Sequence, residues 1–268
     1  MKKIIVLLLA LFMSAGCAVN PVTGRKQLNL VKESDLQLSA TSQYKTFLSQ
    51  NKVLDPAVNK DAAMVKRVGT RIADAITKFY TDQGKGSVLE GYNWEFNTVE
   101  SNEVNAWCMP GGKVVVYTGL LPVTQNETAL AIVLGHEITH AVAKHGNERL
   151  SEALIQQMGG QALDVALSQK PKETQDLIKQ AYGVGSQVGV MLPFSRQQET
   201  EADHFGLIFA AMAGYNPQEA VPFWQRMAAM GGTKPPELLS THPADQTRIN
   251  DLKKVMPEAQ QYYHPDKK

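Results

Sequence analysis

The chain has 268 residues, of which 43% are hydrophobic and 20% are charged, enough for one large globular domain or two smaller ones. Its 27 lysines and arginines nearly balance 26 aspartates and glutamates, so the formal net charge is +1. Because no basic excess is available to neutralise phosphates, a nucleic-acid-binding function is disfavoured.

The first sixteen residues have the pattern of an export signal. Lys2 and Lys3 precede an apolar run over residues 4–13, and small residues then lead to Cys17. An apolar run of this length is too short to span a membrane, which needs about 20 residues. The small residues before Cys17 resemble a bacterial lipobox, so Cys17 is the predicted lipidation site. An ordinary cleaved signal with a soluble product is the alternative.

These features predict three regions in the chain. Residues 1–16 are a signal peptide, residues 17–30 are the lipidated cysteine and a polar tether, and residues 31–268 are a single domain. Ala18, in place of an aspartate after the cysteine, resembles Gram-negative outer-membrane sorting. The predicted location is therefore a bacterial outer membrane, with the exported domain facing the periplasm.

Hydrophobic periodicity predicts a helix over residues 61–80, followed by a strand over residues 92–99. Two more strands, over 104–109 and 113–118, flank Pro110-Gly111-Gly112, whose residues are typical of a hairpin turn. Most of the remaining chain has helical spacing. This order predicts an α+β domain that is mainly helical, with a small antiparallel sheet.

A long apolar helix is predicted after a capping box formed by Thr124 and Glu127. It carries His136, Glu137 and His140 in the pattern His-Glu-x-x-His. Residues four apart lie on one helix face, so both imidazoles can bind one Zn²⁺. Glu137 can then reach a zinc-activated water and act as general base without binding the metal.

A catalytic zinc site needs a third protein ligand. The motif extension that places a glycine and a histidine further along the helix is absent, because Ala143 and Gly146 occupy those positions. A glutamate from a later helix is the alternative, and Glu199 and Glu201 are both available. Glu199 is preferred, since Asp203 lies one turn later on the same face and can orient a ligand histidine. Glu201 is expected to face elsewhere.

Three sequence blocks resemble the gluzincin family of zinc metalloproteases that includes HtpX, BepA, LoiP and the Oma-type mitochondrial proteases. They are the His-Glu-Ile-Thr-His motif, residues 195–203, and residues 240–243 ahead of Arg248. The resemblance covers most of residues 60–255 and is closest to a short bacterial lipoprotein branch. It implies a zincin-type metalloprotease domain with one Zn²⁺ per chain and a polypeptide substrate.

The resemblance also implies roles for individual residues. Zinc binding falls to His136, His140 and Glu199, and catalysis to Glu137. His242 would approach the metal or steady the transition state, although a histidine that only flanks the start of the last helix is the alternative. Arg248 would stabilise developing negative charge, with a surface role as its alternative.

Asn105 and Ala106, ahead of the glycine turn, resemble the active-site hairpin of the same family. An extended polypeptide can add to a sheet edge through main-chain hydrogen bonds. The hairpin is therefore predicted to bind the substrate backbone, with a turn-forming role for Asn105 as the alternative.

The predicted function is a zinc endopeptidase, and the resemblance implies misfolded or unassembled envelope proteins as its substrates. Residues 151–192, rich in small residues, are predicted to gate access to the site. One alternative is a chaperone-like envelope assembly factor with a largely closed zinc site. Another alternative is a zinc hydrolase that does not cleave proteins. The motif indicates that zinc activates a water molecule, but it specifies less firmly which bond that water attacks.

Overall fold

The computed structural model describes residues 17–154, 184–185, 187–188, 194–231, 236–243 and 246–265. The predicted signal peptide and most of the predicted gate over residues 151–192 lie outside the described residues.

Helices make up most of the described chain, which confirms the prediction of a mainly helical domain. The α-helices are α1 Glu33–Gln50, α2 Lys60–Asp82, α3 Leu121–Thr124, α4 Glu127–Val142, α5 Arg196–Met212, α6 Ala220–Ala229, α7 Glu237–Thr241 and α8 Gln246–Gln261. Residues 145–154 are also helical. Short 3₁₀ helices cover Gly86–Leu89, Thr118–Leu120 and Pro217–Glu219. Among the described residues, no helix is both long and apolar enough to cross a membrane.

Within the described residues, the strands form three small sheets. Their bounds are β1 Cys17–Val19, β2 Lys26–Leu28, β3 Val53–Leu54, β4 Glu95–Val99, β5 Ala106–Met109, β6 Lys113–Tyr117, β7 Val184–Gly185 and β8 Gln187–Val188. β1 pairs with β2, β7 pairs with β8, and the remaining four strands form a sheet with the order β3-β4-β6-β5.

The four-stranded sheet is mixed. β5 and β6 form an antiparallel hairpin around residues 110–112, as predicted from the turn residues, and Gly111 and Gly112 adopt positive φ values of 81° and 79°. However, β6 pairs in parallel with β4, so the prediction of a wholly antiparallel sheet is wrong. After β4, the chain passes to the edge of the sheet and forms β5 there. It then returns as β6, which lies between β4 and β5 and runs parallel to β4.

The central strand β6 is buried on both faces. Val114 and Val116 belong to the large core formed with α2 and α4, whereas Val115 and Tyr117 pack with Tyr44 of α1 in a second core. Helices therefore cover both sides of the sheet, and β5 forms its edge. This arrangement places β5 next to α4.

Helix α4 begins later than predicted. Asn126 is its N-cap, and the Asn126 side-chain oxygen accepts a 2.8 Å hydrogen bond from the Ala129 N–H. The predicted cap at Thr124 is wrong because Gln125 adopts a left-handed φ of 65° and ends α3. The Thr124 hydroxyl instead donates to a carbonyl within α3.

His242 lies at the end of a short helix, and residues 244–245, where the last helix would start, lie outside the described residues. Pro236 precedes the short helix α7, which ends at Thr241 with His242 as its C-cap. The His242 N–H donates to the Leu238 carbonyl at 2.9 Å, and α8 is described from Gln246 onward.

Residues 17–30, predicted to be a tether, pack against the domain in the structure. Strands β1 and β2 pair antiparallel, with Ala18 opposite Gln27, and we call residues 17–28 the N-terminal hairpin. Gln27 is buried and donates a 3.1 Å hydrogen bond to the Ala143 carbonyl, just after α4. Leu30 N–H donates to the Ser151 hydroxyl at 2.8 Å. The segment is thus attached to the chain that follows the histidine motif.

Helices α4 and α5 cross with direct backbone contact at Gly135 and Gly206. A Cβ added to Gly135 would lie 2.5 Å from the Gly206 carbonyl oxygen, and one added to Gly206 would lie 2.8 Å from the His136 nitrogen. Neither distance is acceptable for a real side chain. Glycine at both positions therefore sets the distance between the histidine motif and the acidic residues of α5.

We expect Gly206→Ala to push α4 and α5 apart and to lower the free energy of unfolding by about 1–3 kcal/mol. Gly86→Ala is the matched control, because a Cβ at Gly86 meets no atom within 4 Å. Thermal and chemical denaturation of both variants measures the effect. Equal stability of Gly206→Ala and the wild type would show that the helices do not require this contact.

Candidate active site

Four buried side chains from three helical segments meet at one point. His136 and His140 come from α4, Glu199 comes from the first turn of α5, and His242 follows α7. One possible ligand atom from each lies within 4.8 Å of all the others. We call these four residues the metal cluster.

The separations in the cluster suit a single zinc ion. His136 Nε2 lies 3.1 Å from His140 Nε2, and the Glu199 carboxylate oxygens lie 3.5 Å and 3.4 Å from these two nitrogens. Ligand atoms at about 2.0–2.1 Å around a tetrahedral zinc stand roughly 3.3 Å apart. The three side chains are therefore already spaced as a set of zinc ligands.

Hydrogen bonding around His136 indicates which ring nitrogen faces the metal. Asp203 Oδ1 lies 2.9 Å from His136 Nδ1, and Arg248 holds both Asp203 oxygens through bonds of 2.8 Å and 2.7 Å. A carboxylate can only accept, so His136 Nδ1 carries the proton and Nε2 presents a lone pair to the cluster. This is the orienting contact that the sequence predicts for Asp203.

The cluster also leaves polar atoms unsatisfied. Glu199 Oε2 and Glu137 Oε1 are buried without a hydrogen bond among the described residues, although Arg248 Nη1 forms an ion pair with Glu199 Oε2 at 3.2 Å. Such atoms are costly to bury unless a cation or water binds them. The unsatisfied Glu199 oxygen faces His136 Nε2, and the donor set fits Zn²⁺.

His242 approaches the cluster closely, as one of its two predicted roles requires. Its Nδ1 lies 2.8 Å from Glu199 Oε1 and 3.1 Å from His136 Nε2, while its Nε2 lies 3.5 Å from Glu137 Oε1. Burial alone would lower the pKa of His242, but the Glu199 and Glu137 carboxylates raise it above its ordinary value. His242 thus occupies the side of the cluster nearest Glu137.

The two glutamates differ in their proton affinity. Burial raises the pKa of Glu137, although the imidazoles of His242 and His136 partly oppose the shift. Burial would also raise the pKa of Glu199, but His242, His136 and His140 hold it well below its ordinary value. Glu137 is therefore the better proton acceptor at neutral pH, and Glu199 the better anionic ligand.

Arg248 lies behind the cluster. Besides holding Asp203, its guanidinium carbon stacks over the Trp224 ring at 3.3 Å, and Nη1 donates to the His242 carbonyl at 3.3 Å. Nη1 also lies 3.2 Å from Glu199 Oε2. These contacts favour a role in positioning Asp203 over direct contact with a substrate oxygen.

The remaining predicted site residues lie outside the cluster. Asn105 is buried next to β5 and accepts a 3.1 Å bond from the Tyr117 N–H through its carbonyl, and Ala106 begins β5. β5 contacts α4, the helix that carries the motif, and burial together with the Glu137 charge raises the pKa of the Cys108 thiol on β5. Cys17, the predicted lipidation site, begins β1.

Sequence reasoning missed two residues beside the site, His145 and Glu201. His145 Nδ1 lies 2.9 Å from His140 Nδ1, and its Nε2 lies 3.0 Å from Glu201 Oε2. In a continuous helix His145 would point away from His140, but Lys144 adopts a left-handed φ of 59° after α4 ends. Glu201 is not part of the metal cluster, but its side chain is only 12% exposed because it contacts His145 and Arg25.

Several known proteases are similar to this chain in sequence. The mitochondrial metalloendopeptidase OMA1 of Saccharomyces cerevisiae is 35% identical over 66% of this chain and 51% of its own length. The OMA1 protein of Schizosaccharomyces pombe is 32% identical over 90% of this chain and 66% of its own length. The beta-barrel assembly-enhancing protease of Escherichia coli K12 is 28% identical over 60% of this chain and 34% of its own length. The chain thus spans between about a third and two thirds of these relatives.

These relatives contradict the predicted location in a bacterial outer membrane facing the periplasm. The OMA1 proteins are mitochondrial, and one of them, from Bos taurus, is similar over 94% of the chain. Similarity over that length outweighs the few residues around Cys17 on which the location was based. Lipidation of Cys17 stays a prediction.

The family model for Peptidase family M48 matches residues 60–256, which contain α2, the hairpin of β5 and β6, the whole metal cluster and most of α8. This range agrees with the extent of the resemblance seen in the sequence. The chain belongs to Peptidase family M48, whose members are zinc metalloendopeptidases.

Proposed function

We propose that His136, His140 and Glu199 bind one catalytic Zn²⁺ and that Glu137 is the general base for hydrolysis of a peptide bond. The observation that carries the proposal is the buried set of facing ligand atoms, with the carboxylate of Glu137 beside it. When bound, Zn²⁺ polarises the scissile carbonyl and lowers the pKa of water.

The residues of the chain supply the remaining chemistry. Burial raises the pKa of Glu137, which suits it to take a proton from the attacking water and pass it to the leaving amine. Asp203 and Arg248 keep the His136 ring in one orientation and one tautomer. His242 lies 2.8 Å from Glu199 Oε1 and 3.5 Å from Glu137 Oε1, so it must turn away from Glu199 before substrate enters. We propose that it then steadies the reacting carbonyl.

We propose that substrate binds to the edge of the sheet. β5 is the edge strand of the β3-β4-β6-β5 sheet and lies beside α4, which carries Glu137. An extended polypeptide paired with this edge would run past the motif, with Asn105 and Ala106 at the start of the paired strand. Main-chain pairing tolerates many side chains, so cleavage would depend on an unfolded backbone more than on sequence.

The substrate class follows from that binding mode and from the relatives. A protease that needs an extended chain selects misfolded or unassembled proteins, and one relative is a beta-barrel assembly-enhancing protease. We therefore propose misfolded or unassembled envelope proteins as substrates. Faster cleavage of an unfolded client than of the same client in its folded state supports this proposal, and equal rates contradict it.

A chaperone-like assembly factor is the second candidate, and the position of His242 favours it. With His242 Nδ1 in the metal cluster, four protein groups surround one point and close the site. Cells that carry Glu137→Gln separate the two functions. Full retention of cellular function favours the assembly factor, whereas loss of function favours the protease.

Glu137→Gln is expected to reduce kcat/KM for casein cleavage by roughly 10²–10⁴-fold, because the amide cannot accept the proton from water. Bound zinc should stay at the wild-type level, since Glu137 is not a ligand. Glu127→Gln in the first turn of the same helix is the matched control, because Glu127 pairs with Arg67 at the surface. Near-wild-type cleavage by Glu137→Gln would rule out this general base.

Asp203→Asn is expected to weaken zinc binding by roughly 10–100-fold. Arg248 donates to both Asp203 oxygens, so an amide NH₂ at either position opposes one of its N–H groups and weakens the contact that orients His136. Competition with a chromogenic chelator measures the affinity. Asp251→Asn on α8 serves as the control, because Asp251 pairs with Lys254 instead. An unchanged zinc affinity in Asp203→Asn would contradict the assigned role.

A further inference from the structure

A second chain of polar contacts joins the N-terminal hairpin to the metal cluster. Arg25 donates from Nη1 and Nη2 to both Glu148 oxygens at 2.6 Å, and from Nε to Glu201 Oε1. Glu201 Oε2 accepts from His145 Nε2 at 3.0 Å, and His145 Nδ1 lies 2.9 Å from His140 Nδ1. We call Arg25, Glu201, His145 and His140 the Arg25 relay.

The relay is shielded from solvent. The side chain of His145 is fully buried, that of Glu201 is 12% exposed and that of Arg25 is 20% exposed. Charge-assisted hydrogen bonds in such surroundings are weakly screened and hold their geometry. Glu148 is fixed in turn by a 2.7 Å bond from Gln198 on α5, so the arginine has two anchored partners.

The contacts determine where each proton lies. The Glu201 carboxylate accepts from Arg25 and can only accept from His145, so His145 Nε2 carries a proton. In a neutral imidazole the other nitrogen, Nδ1, is then an acceptor. The atom facing it, His140 Nδ1, must therefore donate, which leaves His140 Nε2 without a proton and directed at His136 Nε2.

The two ligand histidines are therefore oriented by parallel devices. His136 donates directly to Asp203, and Arg248 holds Asp203 in place. His140 donates to His145 instead. Glu201, which Arg25 holds, orients His145 in turn. Both carboxylates come from α5. The second device differs because its arginine comes from the N-terminal hairpin, outside the residues that match the family model.

We propose that Arg25, Glu201 and His145 are positioning residues that keep the proton of His140 on Nδ1 and present its Nε2 lone pair to the metal. The N-terminal hairpin then contributes a positioning residue, Arg25, to the active site, in addition to connecting the domain to the residues before it. This inference rests on the zinc site proposed above.

Glu201→Gln tests the relay through a change of tautomer. Arg25 offers only donors, so it would hold the amide oxygen and turn the NH₂ group toward His145 Nε2. The His145 proton would then shift to Nδ1, where it would face the proton on His140 Nδ1. We expect zinc affinity to fall by roughly 10–100-fold. Long-range ¹H–¹⁵N correlation spectra, tractable with six histidines, should show the His145 proton shift from Nε2 to Nδ1.

The double variant Arg25→Gln/Glu201→Gln provides a directional check. Without Arg25 the amide of residue 201 keeps only an exposed 3.2 Å contact from Gln197 at that position, so it can turn its oxygen toward His145, which restores the original tautomer. We expect the double variant to bind zinc more tightly than Glu201→Gln alone. Equal or weaker zinc binding by the double variant would overturn the relay. This comparison of the double variant with Glu201→Gln stays informative even if Glu201→Gln is partly unfolded, because a second substitution would make a structural defect worse.

Lys26→Gln is the matched control, because Lys26 neighbours Arg25 but is exposed. It should bind zinc as the wild type does. Wild-type affinity in Glu201→Gln, or weaker binding without a change in the His145 tautomer, contradicts the relay. If the full-length wild type binds no zinc, the proposed function fails as well. If the wild type binds zinc and Glu201→Gln binds it equally, the relay alone fails.

Discussion

The backbone contact between Gly135 and Gly206 is the constraint on which the site depends. It lets α4 and α5 approach closely enough for short acidic side chains on α5 to reach the histidines on α4. Glu199 and Asp203, one turn apart, then face the same pair of imidazoles as ligand and orienting partner. A side chain at either glycine would move these groups beyond hydrogen-bond and coordination distance.

Burying this many charged and polar groups is costly unless each has a partner. In the structure, His136 contacts a carboxylate that Arg248 holds, and His140 reaches a carboxylate held by Arg25 through His145. Glu199 Oε2 makes no hydrogen bond among the described residues but lies 3.2 Å from Arg248 Nη1. Zn²⁺ would remove the remaining repulsion between the lone pairs on His136 Nε2 and His140 Nε2. The arginines therefore contribute to metal binding through the tautomers that they impose.

Regular helical spacing explains what could be predicted from the sequence. His136 and His140 share a face because they lie four apart in one helix, and the same rule joins Glu199 to Asp203. The hairpin turn was predictable for a similar reason, since two consecutive glycines allow the positive φ values that it needs.

Contacts that depend on the path of the chain could not be predicted in this way. His145 reaches His140 because a left-handed residue breaks the helix between them, and no spacing rule predicts that break. Arg25 reaches Glu201 across 176 positions of sequence. The parallel pairing of β4 with β6 likewise depends on which strand takes the sheet edge, which local sequence does not specify.

His242 lies 2.8 Å from Glu199 Oε1 and 3.5 Å from Glu137 Oε1, so the side chain that would complete the metal cluster also lies next to the proposed base. Zinc K-edge X-ray absorption of the purified full-length chain tests the central claim most directly. The account predicts one zinc per chain with only nitrogen and oxygen neighbours at about 2.0–2.2 Å. A sulfur neighbour at about 2.3 Å, or the absence of bound zinc, would contradict it.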